Sequence, residues 1–419
     1  MRVIFNLAWK SVLNRKTTAL LVVLTVAISV VLLLGVERIR TQAKASFANT
    51  ISGTDLIIGA RSGQVNLLLY SVFRIGNATN NIDWQSFQKF AHHKAVSWAI
   101  PISLGDSHRG FRVMGTNQDY FAYYRYGRKQ PLTFQAGKPF KGLFDTVIGS
   151  DVAKKLGYQI GSKIIIAHGI SDVGFSRHDN LPFTVVGILK PTGTPVDKTV
   201  HVSLAAIEAI HVGWESGAHI GATPSANTLQ QHSFAPQQIT AMLIGLKSKI
   251  QTFALQRTVN NYRQEPLSAI MPGVALHELW SMMSVAEQAL TTISAFVVIA
   301  GLLGMLSSLL TSLQERRREM AILRAMGARP KHIFALLISE ASLLTFTGIL
   351  LGLLLLYALL TIVSPLIEQS YGIVIDFRGI SNYEWHLIAY VQLAGIIIGV
   401  IPALRAYRQS LSDGMTIRL

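Results

Sequence analysis

The chain has 419 residues, half of them hydrophobic and only 14% charged, with a mean hydropathy of +0.38. That is too apolar for an ordinary soluble protein and too polar for a chain wholly immersed in lipid, so a membrane part joined to a soluble part is expected. The net charge of +16 is not read as a nucleic-acid signal: residues 1–16, 314–332 and 404–419 hold 13 Lys or Arg against 3 Asp or Glu, and each segment flanks an apolar run, as the positive-inside rule requires of inner loops. No cysteine occurs, which excludes disulfides, thiolate metal sites and cysteine nucleophiles.

Residues 1–16 place Val3, Ile4, Phe5, Leu7, Trp9, Val12 and Leu13 among Arg2, Lys10, Arg15 and Lys16, the pattern of an interfacial helix with a Trp anchor. Residues 17–36 are long enough for a first span. Glu37, Arg38 and Arg40 follow, which argues for an uncleaved anchor with its N-terminus inside.

Residues 37–284 read as a soluble block outside the membrane. A helical continuation to Thr50 leads to a short strand at Asp55–Gly59, and Phe111–Gly115 is another strand unit. Thr146–Gly149 runs into a capped short helix at Ser150–Gly157. Lys163–Ala167 and Phe183–Leu189 are β-branched runs with strand character, and Pro191–Pro195 is a turn cluster. His211 to Gln238 is polar and loop-like. The pattern is mixed α and β, with enough chain for its own core.

Residues 285–313 form a second span with Ala300, Gly304 and Ser308 on one face. Residues 333–363 form a third, containing Gly348 and Gly352, and residues 385–403 a fourth, with Gly395 and Gly399 four apart. Small residues on one face let helices approach closely in lipid. Residues 364–384 are a short outer loop holding Glu368, Asp376 and Glu384 against Arg378, and residues 404–419 are an inner tail. The fold expected is a membrane protein with four transmembrane helices and a large mixed α/β extracytoplasmic domain inserted between the first and second, both termini inside.

The inner loop 314–332 is the most specific stretch. Arg316, Arg317, Arg318, Arg324, Arg329 and Lys331 face only Glu315 and Glu319. Met320, Ile322, Leu323 and Met326 then recur at helical spacing, Gly327 can stop a helix, and Pro330 suits the first turn of the next. A short amphipathic helix held between two spans is shaped for a groove in a partner protein. On charge alone, a plain basic loop is an equal reading.

The order E-R-R-R-E-M-A-I-L-R-A-M-G-A from Glu315 to Ala328, followed by a long apolar helix, resembles the MacB/FtsX-like permeases of ABC transporters, the LolC/LolE-like, type VII mechanotransmission class. Ile148–Gly157, Gly161–Ile166 and Phe183–Leu189 resemble the MacB-type periplasmic core domain of that family, and Pro402–Ala406 its C-terminal tail. Ser412–Thr416 departs from the family's usual ending, which puts a tail contact with the ATPase in doubt. The resemblance implies a non-catalytic inner-membrane permease subunit with both termini cytoplasmic. The coupling helix, with Glu315, Arg316, Arg317, Glu319, Ile322, Leu323, Met326 and Gly327, would dock on a separate ATPase. It also implies two ATPase copies that bind ATP and Mg, so that this chain needs no cofactor. A second permease copy is implied as well, in a homodimer or a related heterodimer, together with membrane lipid and room for a periplasmic partner protein. The cargo class implied is a peptide, lipoprotein or small hydrophobic compound. Two alternatives stay open: a non-transporting regulator of a cell-wall hydrolase, and a permease of a metal- or haem-related system.

No GxxxxGK[ST], HExxH or GxSxG motif occurs, so any ATPase is expected on another polypeptide. Ten of the 12 histidines lie in the outer block: His92, His93, His108, His168, His178, His201, His211, His219, His232 and His277. Scattered solvated histidines, with no metal site, are the expectation. Glu340 inside the third span is expected near the inner surface in a structural pairing, and Glu287 at the outer interface.

Overall fold

The structure is a computed structural model that describes residues 9–10, 15–168, 181–212, 226–315, 317–371 and 379–408. The chain divides into two compact units: residues 1–42, 284–369 and 375–419 in one, and 43–283 with 370–374 in the other.

The elements in chain order begin with helix α1 (Lys16–Thr50) and strand β1 (Leu56–Ala60). Helix α2 (Gln64–Leu68) follows, continued by a π turn at Leu69–Phe73, then β2 (Ile82–Asp83) and α3 (Trp84–Ala91). Next come β3 (Val96–His108), β4 (Phe111–Thr116), α4 (Asp119–Tyr123), β5 (Arg125–Tyr126), β6 (Gln130–Pro131), β7 (Phe134–Gly137) and β8 (Asp145–Ile148). Helix α5 (Ser150–Leu156) precedes β9 (Lys163–Ile164), β10 (Ala167–His168), β11 (Phe183–Leu189) and β12 (Thr199–Ser203). Then follow α6 (Leu204–Ile210), α7 (Ala226–Gln230), β13 (Gln238–Ile239), β14 (Ala241–Leu246), α8 (Thr252–Asn260) and β15 (Leu267–Ile270). The chain closes with α9 (Pro272–Glu315), α10 (Arg317–Ala325), α11 (Pro330–Tyr371) and α12 (Asn382–Arg408).

The α/β unit is built on one mixed sheet in the order β15-β1-β14-β3-β4-β12-β8-β11-β7. Most neighbours are antiparallel; β11–β8 and β12–β4 are parallel. Successive side chains of a strand point to opposite faces, and this sheet uses both. Ile57, Ile100, Met114, Val147 and Leu243 enter one apolar core with Leu67, Leu68, Tyr70 and Phe73 from α2 and its π turn. On the other face Leu56, Ile58, Met242 and Ile244 pack under Phe87 and Phe90 of α3 and Leu255 and Val259 of α8. Further along that face Val113, Ile148, Val185 and Val200 pack under Val152 of α5 and Ala206 and Ile210 of α6.

Two local readings are corrected. Ser150 does not cap α5: Gly149 is the N-cap, and the Ser150 hydroxyl has no partner. A Cβ at position 149 would lie 2.3 Å from the Val196 and Asp197 carbonyl oxygens, so only glycine fits there. The strand expected over 163–167 is split. Lys163 and Ile164 pair with β11, whereas Ala167 and His168 pair with β3. Between them the Ile165 carbonyl lies 2.6 Å from His108 Nδ1, so the chain changes partners at that point. The Pro191–Pro195 turn is held by the buried Asp197 carboxylate, which accepts from Thr192 N at 2.9 Å and Gly193 N at 2.7 Å.

Among the described residues four helices are long and apolar enough to cross a membrane: Lys16–Thr50, Pro272–Gln314, Pro330–Ser364 and Asn382–Arg408. Apolar side chains such as Ile28, Leu32, Phe296, Leu303, Leu354 and Ile397 point outward and are exposed, as lipid-facing groups should be. Inside, Val26, Val30, Ile349, Leu356 and Val391 form one core layer, and Val22, Met305, Leu309 and Leu344 another. Helix α1 runs unbroken across the boundary at residue 42 and α9 across the one at residue 284.

Candidate functional site

Helix α10 is the short amphipathic element between α9 and α11. It stops because Gly327 takes φ +95°, where its N–H bonds the Arg324 carbonyl and the Ala328 N–H the Leu323 carbonyl at 2.9 and 3.0 Å. A left-handed glycine closing the last carbonyls is the standard way to end a helix. Pro330 then opens α11, where its missing N–H costs nothing.

One face of α10 is committed to the helical unit. Met320 and Ala321 are buried, and Met320 packs with Leu313, Ile333, Leu337, Ala403 and Ala406. Arg324 Nη2 donates to the Ala406 carbonyl at 2.7 Å, satisfying the C-terminal end of α12. The opposite face is exposed: Ile322 is 58% exposed and Met326 72%, four residues apart, with half-buried Leu323 beside them. Glu319 is exposed at the same end. Arg316 lies outside the described residues; Glu315 ends α9 and Arg317 begins α10.

The small-residue stripes have different fates. An added Cβ at Gly348 would come within 2.7 Å of Val26, and one at Gly352 within 2.9 Å of the Ala27 carbonyl and of Val30. Gly395 faces Thr345 and Gly399 faces Ala341 in the same way, at 2.2 and 2.5 Å. On α9, however, the residue that meets α1 is Gly301, whose added Cβ would lie 2.7 Å from the Ser29 hydroxyl. Ala300 and Gly304 are exposed, nothing lies within 4 Å of a Cβ at Gly304, and Ser308 is half-buried. Spacing picks out Ala300, Gly304 and Ser308, whereas the contact with α1 is made by Gly301, whose neighbours four residues away, Val297 and Met305, are large.

Glu340 is buried on α11. Two of the outer-block histidines are not solvated. His108 is buried between the Ile165 carbonyl and the Tyr158 hydroxyl, the latter at 2.9 Å. His201 is fully buried beside Tyr120 and Phe121, with Nδ1 3.2 Å from the Val147 carbonyl. Burial, helped by the Arg74 charge, holds the His201 imidazole down at about 3, so it is neutral. His92 and His232 bond their own helices. His178 and His219 lie outside the described residues. Among the described residues no group of three or more His, Asp or Glu is placed to hold a metal ion.

A polar cluster that sequence reading missed lies at the other end of the helical unit. Glu384, expected in an exposed loop, is 4% exposed in the first turn of α12. Its carboxylate accepts from Arg38 Nε at 2.9 Å and from the Ser381 N–H at 2.7 Å, while Ser381 Oγ accepts from the Glu384 N–H at 3.2 Å. Ser381-x-x-Glu384 is a capping box, a signal present in the sequence. Arg38 Nη2 also donates to the Tyr357 hydroxyl at 3.2 Å, and the guanidinium lies 4.9 Å over that ring. Two residues on, Arg40 pairs with Glu37 at 2.8 Å and with Glu287 at 3.6 Å.

These features define a class: a polytopic membrane protein with an α/β domain inserted after its first helix and a short helix carrying an exposed apolar face between its second and third. Comparison with known families agrees. The model of the MacB-like periplasmic core domain matches residues 18–262, more than half of the chain, and that of the FtsX-like permease C-terminal matches residues 291–411. The chain belongs to this family of MacB/FtsX-type ABC transporter permeases.

Among curated relatives, the pyoverdine export ATP-binding/permease protein PvdT of Pseudomonas syringae pv. tomato is 25% identical over 62% of this chain, and the match spans 37% of that protein's length. An uncharacterized ABC transporter permease of Methanocaldococcus jannaschii is 26% identical over 34% of each chain. The periplasmic region of MacB from Actinobacillus actinomycetemcomitans aligns with 55% of this chain and 94% of its own, at 9% identity and a TM-score of 0.35.

Proposed function

We propose that this permease couples ATP hydrolysis on a separate ATPase subunit to movement of its α/β domain, which handles cargo outside the inner membrane. The observation that carries this reading is the exposed Ile322–Met326 face on a helix anchored to the bundle by Met320 and Arg324. Exposed apolar side chains beside basic ones at an aqueous surface suit a groove in a partner. Two ATPase subunits, binding ATP and Mg, would serve a pair of permease copies. The family's relation to a protein named for pyoverdine export favours outward movement of a peptide, lipoprotein or small hydrophobic compound.

Burying each of Ile322 and Met326 would contribute roughly 1.5–3 kcal/mol, partly offset by the cost of association. Changing both to Asp places unpaired charge in the groove and should abolish docking. The double variant is purified with its ATPase, and co-elution and ATP hydrolysis are measured in lipid. Loss of both with normal membrane insertion supports the reading; parental co-elution and hydrolysis would reduce α10 to a basic loop. The orientation is checked separately. A reporter fused after Pro236 should be accessible from outside the inner membrane and one after Arg329 only from the cytoplasm; the reverse pattern would overturn the topology.

A further inference from the structure

Arg38, Arg40 and their partners form a polar cluster that the docking reading does not use. Arg38 and Glu384 are both nearly inaccessible, with side chains 6% exposed, so their charges have been taken out of water. Such a pair has a large desolvation cost and is a poor source of net stability, yet its directional bonds tolerate only one relative placement of the two helices. The fork is not even filled: Arg38 Nη1 is buried with no acceptor. What the arrangement does supply is register.

The bonds span all four long helices. Arg38 ties α1 to α12 through Glu384 and to α11 through Tyr357. Arg40 ties α1 to α9 through Glu287. The cluster also sits where α1 and α9 leave the helical unit: Arg38 and Arg40 precede the boundary at residue 42, and Glu287 follows the one at residue 284. Both helices then continue without a break into the α/β unit. A displacement of α11 or α12 would therefore be transferred to α1 and α9 at that level.

We propose that Arg38, Glu384 and Tyr357 are positioning residues, a clasp that makes α1, α11 and α12 move as one body at that level, with Arg40–Glu287 adding α9. The clasp itself stands on the helical unit alone; its part in coupling rests on the function proposed above.

The absence of cysteine makes spin labelling direct. Labels are placed at Thr41→Cys and His386→Cys, both exposed and outside the clasp, in the full chain in lipid nanodiscs. The parent should show one narrow distance. Glu384→Gln, which removes the charge at constant shape, should split or broaden it, and Tyr357→Phe should do so to a lesser degree. The exchanged pair Arg38→Glu with Glu384→Arg should restore a single distance. A single parental distance in Glu384→Gln, or an exchanged pair no narrower than the single variants, overturns the clasp.

The coupling half is read with the ATPase present and labels at Ser307→Cys and Gln251→Cys. Glu384→Gln should co-elute with the ATPase and hydrolyse ATP at the parental rate, yet lose most of the distance change on trapping with ATP and vanadate. An undiminished change overturns the coupling role. If the ATPase does not bind the parent, the docking reading fails while the first measurement still decides the clasp.

Discussion

The two units bring their elements together in different ways. The α/β unit packs large side chains on both faces of a sheet and also encloses polar groups such as His201 and Asp197. In the helical unit, glycines bring backbones together: Gly352 against Ala27 and Val30, Gly348 against Val26, Gly301 against Ser29. The solvent explains the difference. Water drives large apolar groups inward, whereas lipid is as apolar as leucine, so helices gain by close van der Waals approach instead. The helical unit also buries an ion pair, Arg38 with Glu384, whose directional bonds fix register.

The largest effect should come from Gly352→Leu. Its side chain would meet the Ala27 carbonyl as well as Val30, and backbone cannot move aside as a side-chain tip can. A loss on the order of 1–2 kcal/mol per broken contact should appear as reduced assembly on native gels and lost transport; parental behaviour would show that α1 and α11 do not pack through this glycine.

A smaller effect is expected from His201, and it tests the α/β side of the contrast. Its folded pKa lies below the unfolded value near 6.5, so the unfolded chain binds the extra proton first. The stability from a neutral buried imidazole is therefore complete above about pH 6.5 and falls as pH drops toward 3, by at most about 1.4 kcal/mol per unit. Urea unfolding followed by tryptophan fluorescence between pH 7 and pH 4.5 should show this slope, and His201→Leu should flatten it. Equal slopes in parent and variant would mean that His201 is not the buried neutral group described.

The smallest effect within a single chain is expected from Gly304→Leu, since nothing lies within 4 Å of the new Cβ. Monomer stability should stay at the parental value in detergent. Should Gly304, with Ala300 and Ser308, pack a second permease copy, the same variant loses dimer on native gels; an unchanged dimer would leave that face to lipid.

Much of the architecture was legible from residue order because its signals are local. Twenty-residue apolar runs, Gly327 and Pro330 around α10, and the β-branched run Phe183–Leu189 each follow from nearest-neighbour chemistry. Strand β14 lacks a single-period pattern, because a central strand is buried on both faces. Capping at α5 depended on how closely residues 196–197 approach, so Gly149 took the place expected of Ser150.

The sequence by itself determined the four membrane-length helices seen among the described residues, a domain inserted after the first, and a short segment with an apolar face between the second and third. Only the tertiary structure decided which side of that segment is free, since Met320 and Ile322 are equally apolar and only contacts with Ile333 and Ala403 separate them. It also decided that Gly301 rather than Gly304 meets α1, and that Arg38 reaches Glu384 across 346 residues of chain. Periodicity assigns residues to faces of a helix; which face is covered depends on long-range packing, which a local pattern does not contain.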